Sequence, residues 1–205
     1  MDPNTFPTKG NLILAKNSLA LAKQGYELMD KKRNILIREL MELIDKADSI
    51  QKEILVTYET AYKALEAANI ELGINYVMES ASSVPTEESI AIKSRSIMGV
   101  EIPHIDYDKN SISPTYSFYG SSLNLDKARV AFEKVKELSI ELAAIENSAY
   151  RLATNVKKTQ KRANALQNIT IPTFTERVKS ISNALEEKER EEFTRLKVIK
   201  RQMGN

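Results

Sequence analysis

The stretch Ala128–Leu166, ARVAFEKVKELSIELAAIENSAYRLATNVKKTQKRANAL, decides how this chain folds. Its apolar residues alternate at spacings of three and four: Ala128, Ala131, Val135, Leu138, Leu142, Ile145, Ala149, Leu152, Val156, Thr159, Ala163 and Leu166, with Thr159 the one polar member. A seam this regular belongs to a coiled coil, because only a repeat averaging 3.5 residues keeps one narrow stripe facing a partner helix. A globular amphipathic helix shows a broader and less regular stripe.

The partner for this seam lies in the same chain. Between Leu12 and Glu71 one row runs Leu12, Leu19, Tyr26, Arg33, Leu40, Ala47, Ile54, Ala61, Ala68. A second runs Ala15, Ala22, Met29, Leu36, Leu43, Ile50, Thr57, Ala64, Glu71, and only Arg33, Thr57 and Glu71 interrupt the two. Two long seams separated by one non-helical insert bury each other when the chain turns back on itself. The expected fold is therefore mainly α: a long antiparallel two-helix coiled coil, with a small β-hairpin-containing insert in the middle. The expected organisation is an N-terminal helix over 1–80, an insert over 81–122 and a C-terminal helix over 123–205, together one rod-like unit. About 70 helical residues at ~1.5 Å each would make the first arm on the order of 100 Å long.

Composition agrees with long helices and few turns. Six glycines, no tryptophan and 28% charged residues in 205 suit helical arms better than a compact globule. The absence of cysteine excludes disulfides and thiolate metal sites and fits a reducing compartment. No stretch approaches the roughly 18 uncharged apolar residues needed to cross a bilayer, and Met1–Gly10 has no apolar run of signal length, so the expectation is a soluble intracellular chain without direct membrane insertion. With 30 basic and 28 acidic side chains the net charge is +2, and no global field points to nucleic acid.

Local signals place the ends of the elements. Pro3 and Pro7 hold the first residues extended and Thr8 is positioned to cap the first helix. Ser80–Pro85 is turn-like. From Ile90 to His104 the pattern changes to a period of two, punctuated by Gly99 and Pro103, which predicts a β-hairpin. Such a strand pair cannot form its own core and is either a simple reversal or a knob that docks another protein. The run Asn110–Ser122, with Tyr116, Phe118 and Tyr119, is expected to pack as loop. Asn124 or Asp126 is expected to cap the second helix, and Pro172 to kink or briefly break it. Pairing about a turn near residue 101 would set Pro172 opposite Lys31, with Arg33 hydrogen-bonding carbonyls freed at Pro172 or pairing with Glu176.

Chemistry finds little to work with. His104 is the only histidine, which excludes a multi-histidine metal site, and no glycine-rich loop leads into Lys-Ser or Lys-Thr. Glu186, Glu187, Glu189, Glu191 and Glu192 are interleaved with Lys188 and Arg190, the pattern of a solvated helix face. The basic runs at Lys31–Arg33, Lys157–Arg162 and Lys197–Arg201 lack interleaved stacking aromatics; they suit a hydrated coiled-coil surface, or attraction to acidic loops of a partner, better than nucleic acid.

Some residues carry a family resemblance. Arg162-Ala163-Asn164-Ala165-Leu166, then Ile169-Thr170-Ile171-Pro172, then Leu185-Glu186-Glu187 and Glu189-Arg190-Glu191 resemble the C-terminal signature of the D subunit of archaeal and vacuolar-type (A-type and V-type) rotary ATPases. Pro7-Thr8-Lys9 and Asp30-Lys31-Lys32-Arg33 resemble the family's opening, and the likeness runs from Pro7 to Gly204, departing at Ala163 and Gln167. The resemblance singles out Arg162, Asn164, Ala165, Leu166, Ile171, Pro172, Leu185, Glu186, Glu189 and Arg190 as family-motif positions with a structural part. It implies a non-catalytic central-stalk subunit that binds no cofactor. Such a rotor axle passes torque between the hexameric ring of catalytic A and B subunits and ion translocation in the membrane rotor, alongside the small F subunit of the stalk and the socket-forming C subunit (d-type). It implies a cytoplasmic, peripheral location on the complex. The competing expectation, for which the heptads alone suffice, is a freestanding coiled-coil scaffold or tether.

Overall fold

A computed structural model describes residues 6–86, 88–107, 115–117 and 119–203. Pro3, residues 110–114 of the aromatic loop and Phe118 lie outside these. The element order is α1 (Lys9–Leu72), α2 (Ile74–Ser82), β1 (Ala91–Ile97), β2 (Val100–Asp106), α3 (Leu123–Ala165), a π turn (Leu166–Thr170) and α4 (Ile171–Met203). The fold class is mainly α, long helices packed in antiparallel fashion with a two-stranded hairpin in the middle. Two compact units divide it: Met1–Asn34 with Val156–Asn205, and Ile35–Asn155.

In the first unit, Thr8 opens α1: its Oγ1 accepts from the Asn11 amide at 3.2 Å, which satisfies one of the amides a helix start leaves without a carbonyl. Pairing is antiparallel. Lys9 meets Glu189 at 3.1 Å, and Arg33 reaches Gln160 at 2.8 Å. Between them Ala15, Ala22, Ala163 and Ile181 are buried. Alanine at these positions lets two helix backbones approach. A Cβ added to Gly25 would sit 3.8 Å from Leu166 Cδ1, an ordinary contact.

In the second unit the seam carries larger side chains. Leu36 and Leu152 are fully enclosed, and Ile54, Ala61, Ala68, Ala128, Val135 and Ile145 are buried. Burial of this apolar surface supplies most of the stability of such helices, since helix propensity alone is marginal in water. Lys134 pairs with Glu53 at 2.7 Å, and Asn124 donates to Glu71 at 2.8 Å. The interruption at Glu71 is thus the exposed end of its row. α1 stops at Leu72 because Gly73 has φ 84, a left-handed conformation that glycine adopts without penalty; α2 then carries Val77 into a small cluster with Ala68 and Leu125.

α3 is capped by Ser122, ahead of both Asn124 and Asp126. Ser122 Oγ accepts from the Leu125 amide at 3.3 Å, while Asn124 and Asp126 are turned to other partners. Asp126 instead accepts from the Tyr116 hydroxyl at 2.6 Å.

β1 and β2 pair antiparallel in the register Ile97↔Val100, Arg95↔Ile102, Ser94↔Pro103, Lys93↔His104. Met98 (φ 49) and Gly99 (φ 74) form the two-residue turn, both left-handed as a type I′ hairpin demands. Pro103 lies inside β2 rather than ending it. A two-residue turn makes Ile97↔Val100 a hydrogen-bonded pair, so alternation makes Ser94↔Pro103 a non-bonded pair, and the amide that proline lacks would have pointed away from β1.

Candidate interaction surfaces

The family-motif residues all fall in the first unit and divide into three groups. Around Asn164, a polar chain links the two helices. Asn164 Oδ1 accepts from Gln160 Nε2 at 2.7 Å, Gln160 Oε1 accepts from Arg33 Nη1 at 2.8 Å, and Arg33 Nη2 pairs with Asp30 Oδ1 at 2.5 Å. Arg33 also donates to Asn34 Oδ1 at 3.3 Å. Arg33 therefore serves Gln160 and Asp30, and the expected role at Pro172 or Glu176 is overturned. Pairing register decides this: Arg33 meets the opposite helix at Gln160, about three turns before Pro172. Gln160 carried a usable signal, since it stands four residues before Asn164 on one helix face. A single charged residue in a core row is also a device for fixing register, because any other alignment would bury it without partners.

The second group surrounds Pro172. Proline has no amide to give the carbonyl one turn back, and the helix responds by widening rather than ending. The Ile171 amide bonds to Leu166 O, closing the π turn Leu166–Thr170. Threonine hydroxyls supply further donors here. Thr170 donates to Ala165 O at 3.4 Å, Thr173 to Ile169 O at 2.7 Å and Thr175 to Ile171 O at 2.7 Å. Leu166 and Ile171 are half-buried, whereas Arg162, Ala165 and Pro172 are exposed.

The third group is the end of α4. Leu185 is half-buried beside buried Ile181. Glu186 and Arg190 approach at 3.7 Å along the helix, and Glu189 meets Lys9 at the first residue of α1. α4 continues to Met203. There Phe193, Leu196, Val198, Ile199 and Met203 are all exposed. An apolar set of this kind on one helix end is unusual for a free chain and calls for cover by another molecule.

The second unit offers two further surfaces. Along α1, Ile37, Met41, Ile44 and Leu55 are exposed at helical spacing, a row separate from the seam. In the insert, Tyr116 lies under the Arg129 guanidinium at 5.3 Å, and partial burial first, then its bond to Asp126, holds its hydroxyl above the usual tyrosine pKa. Tyr119 is 94% exposed. On the hairpin, Lys93 pairs with Asp106, and this hydrogen bond holds the Asp106 carboxyl below the usual aspartate range. His104 Nε2 lies 3.4 Å from Asp106 Oδ1 in an exposed position. Among the described residues no group of three or more His, Asp or Glu is placed to hold a metal ion, and no helix is long and apolar enough to cross a membrane.

Comparison with known proteins gives one answer. The family model for the D subunit of ATP synthase matches residues 11–201. The D subunit of the V-type ATP synthase of Thermotoga neapolitana is 46% identical over 198 residues, covering 97% of this chain and 98% of the relative. The D subunit of the A-type ATP synthase of Pyrococcus furiosus is 38% identical, covering 95% of this chain and 92% of the relative. That of Methanosphaera stadtmanae is 37% identical, with the same coverages.

Proposed function

Because the chain belongs to the family of ATP synthase D subunits, we propose that it is the non-catalytic central axle of a V/A-type rotary ATPase. It transmits torque between ATP hydrolysis or synthesis in a ring of A and B subunits and ion translocation in the membrane rotor. The observation that carries the proposal is in the first unit: α1 and the α3–α4 segment are zipped together from Lys9–Glu189 to Arg33–Gln160, and among the described residues the end of α4 carries an exposed apolar set.

A ring of subunits can supply that cover, and a paired shaft resists twist because each seam residue is locked between two helices. The segments Pro7–Arg33 and Thr175–Met203 face the ring in this reading. Ser80–Ser122 faces the foot, where the F subunit and the socket-forming C subunit (d-type) attach; the exposed row Ile37, Met41, Ile44 on α1 suits an added helix from such a partner. The chain sits peripherally on the cytoplasmic side of the complex. Coupling follows from differential contact: the shaft presents a different face to each catalytic interface and biases that interface between open and closed states.

The test is direct, because the chain has no cysteine of its own. A Tyr119→Cys variant is assembled with the A, B and F subunits, the ring is fixed to a surface, and a bead is attached through the new thiol. Addition of ATP is expected to drive continuous one-way rotation of the bead, with one copy of the chain per ring. A stationary bead on a ring that hydrolyses ATP would overturn the reading.

A further inference from the structure

The two edges of the hairpin are treated differently. On β2, the outward carbonyl of Glu101 is taken by α3, where Arg151 Nη1 donates to it at 3.2 Å, and the outward carbonyl of Pro103 is covered by Ser148, whose hydroxyl donates to Ala144 O at 2.7 Å and lies 3.4 Å from Pro103 O. Pro103 removes an amide from that same edge, so β2 is closed to further pairing. Among the described residues β1 has none of these devices. In the observed register Ile92, Ser94 and Ser96 occupy the non-bonded pairs, so their amides and carbonyls point away from β2. All three residues are exposed, Ile92 at 72%, and no proline or bulge interrupts the strand. Soluble proteins seldom leave such an edge bare, because it is a template for an incoming strand.

We propose that the open edge of β1 is a docking site for an acidic, extended segment of a partner protein, which adds antiparallel as a third strand. Charge selects the occupant. Arg95 and Lys93, the latter already paired with Asp106, are exposed and alternate with Ile92, Ser94 and Ser96, so an added strand sets one carboxylate beside the Arg95 cation, a second beside Lys93 in competition with Asp106, and small or apolar residues opposite the other three. A second copy of this chain is a poor occupant: antiparallel self-pairing centred on Ser94 sets Lys93 against Arg95 of the other copy, like charge on like charge.

The probe is a blocked heptapeptide alternating valine and glutamate, added to the full chain while amide exchange is followed by NMR. Exchange at Ile92, Ser94 and Ser96 is expected to slow by about tenfold or more as these amides gain partners, while the ladder amides of Lys93 and Arg95 stay as they were. N-methylation of the peptide at its valines, whose amides meet β1, should abolish the effect, and N-methylation at its glutamates should spare it. A lysine-for-glutamate peptide should not act. Ser94→Pro should also abolish binding while the β1–β2 ladder stays protected, since that amide serves only the outer edge. No slowing at the highest soluble peptide concentration, equal slowing by the lysine peptide, or slowing that survives valine N-methylation would each overturn the proposal. So would slowing that rises with chain concentration alone, which would make a second copy the occupant.

Discussion

Leu152→Ala offers the sharpest test of the seam. Leu152 is 0% exposed, whereas Leu142, another seam member in the same unit, is only half-buried. Truncation removes three carbon atoms from Leu152, a transfer loss of roughly 2.4 kcal/mol at about 0.8 kcal/mol per buried group. A site enclosed on all sides cannot fully collapse, and the residual cavity brings the cost to about 3 kcal/mol. Leu142→Ala keeps part of its surface in water before and after, so about half that cost is expected. With a urea dependence of about 2 kcal/mol/M, the unfolding midpoint followed by far-UV circular dichroism should fall by about 1.5 M for Leu152→Ala, and by about half as much for Leu142→Ala. In the assembled complex the same softening should lower ions transported per ATP before it lowers ATP hydrolysis. If the two variants shift the midpoint equally, enclosure in the seam is not what sets its stability. If transport and hydrolysis fall together, torsional stiffness is not what the seam provides.

Arg33→Met should cost about 1 kcal/mol through loss of the Gln160 and Asp30 contacts, and a double-mutant cycle should show coupling with Gln160→Met but additivity with Pro172→Ala; coupling to Pro172 would restore the role that the pairing register denies it. Met98→Asn should slow amide exchange in β1 and β2 by stabilising the left-handed turn, by a few tenths of a kcal/mol, and an unchanged exchange rate would show that a methionine side chain at the positive φ of Met98 costs the hairpin nothing. The Lys93–Asp106 pair has a depressed carboxyl and a raised ammonium. Its contribution to the hairpin is thus present above the ordinary aspartate pKa and is lost as pH falls through the lowered folded value; at the alkaline end it is present below the ordinary lysine pKa and is lost as pH rises through the raised one. Strand-amide protection should therefore decline below about pH 4; an Asp106→Asn variant that kept the same acid limb would show that another group causes it.

The sequence by itself determined which face of each long helix is turned inward. Each member of the Ala128–Leu166 seam is buried or half-buried, and so is each member of the two α1 rows apart from Glu71, because a heptad repeat fixes the inward face through local helical geometry alone. The hairpin was legible for the same kind of reason, a period of two punctuated by Gly99. The family signature from Arg162 to Pro172 was also readable, but what those residues touch was not. A repeating seam fits its partner at many offsets of seven, so periodicity could not say that Arg33 meets Gln160 rather than Pro172. That choice belongs to tertiary packing. So do the π turn that lets α4 continue through Pro172, the capping of α3 by Ser122 and the covering of one hairpin edge by Arg151. These depend on which backbone groups lack partners once distant segments have come together, a condition that no local pattern encodes.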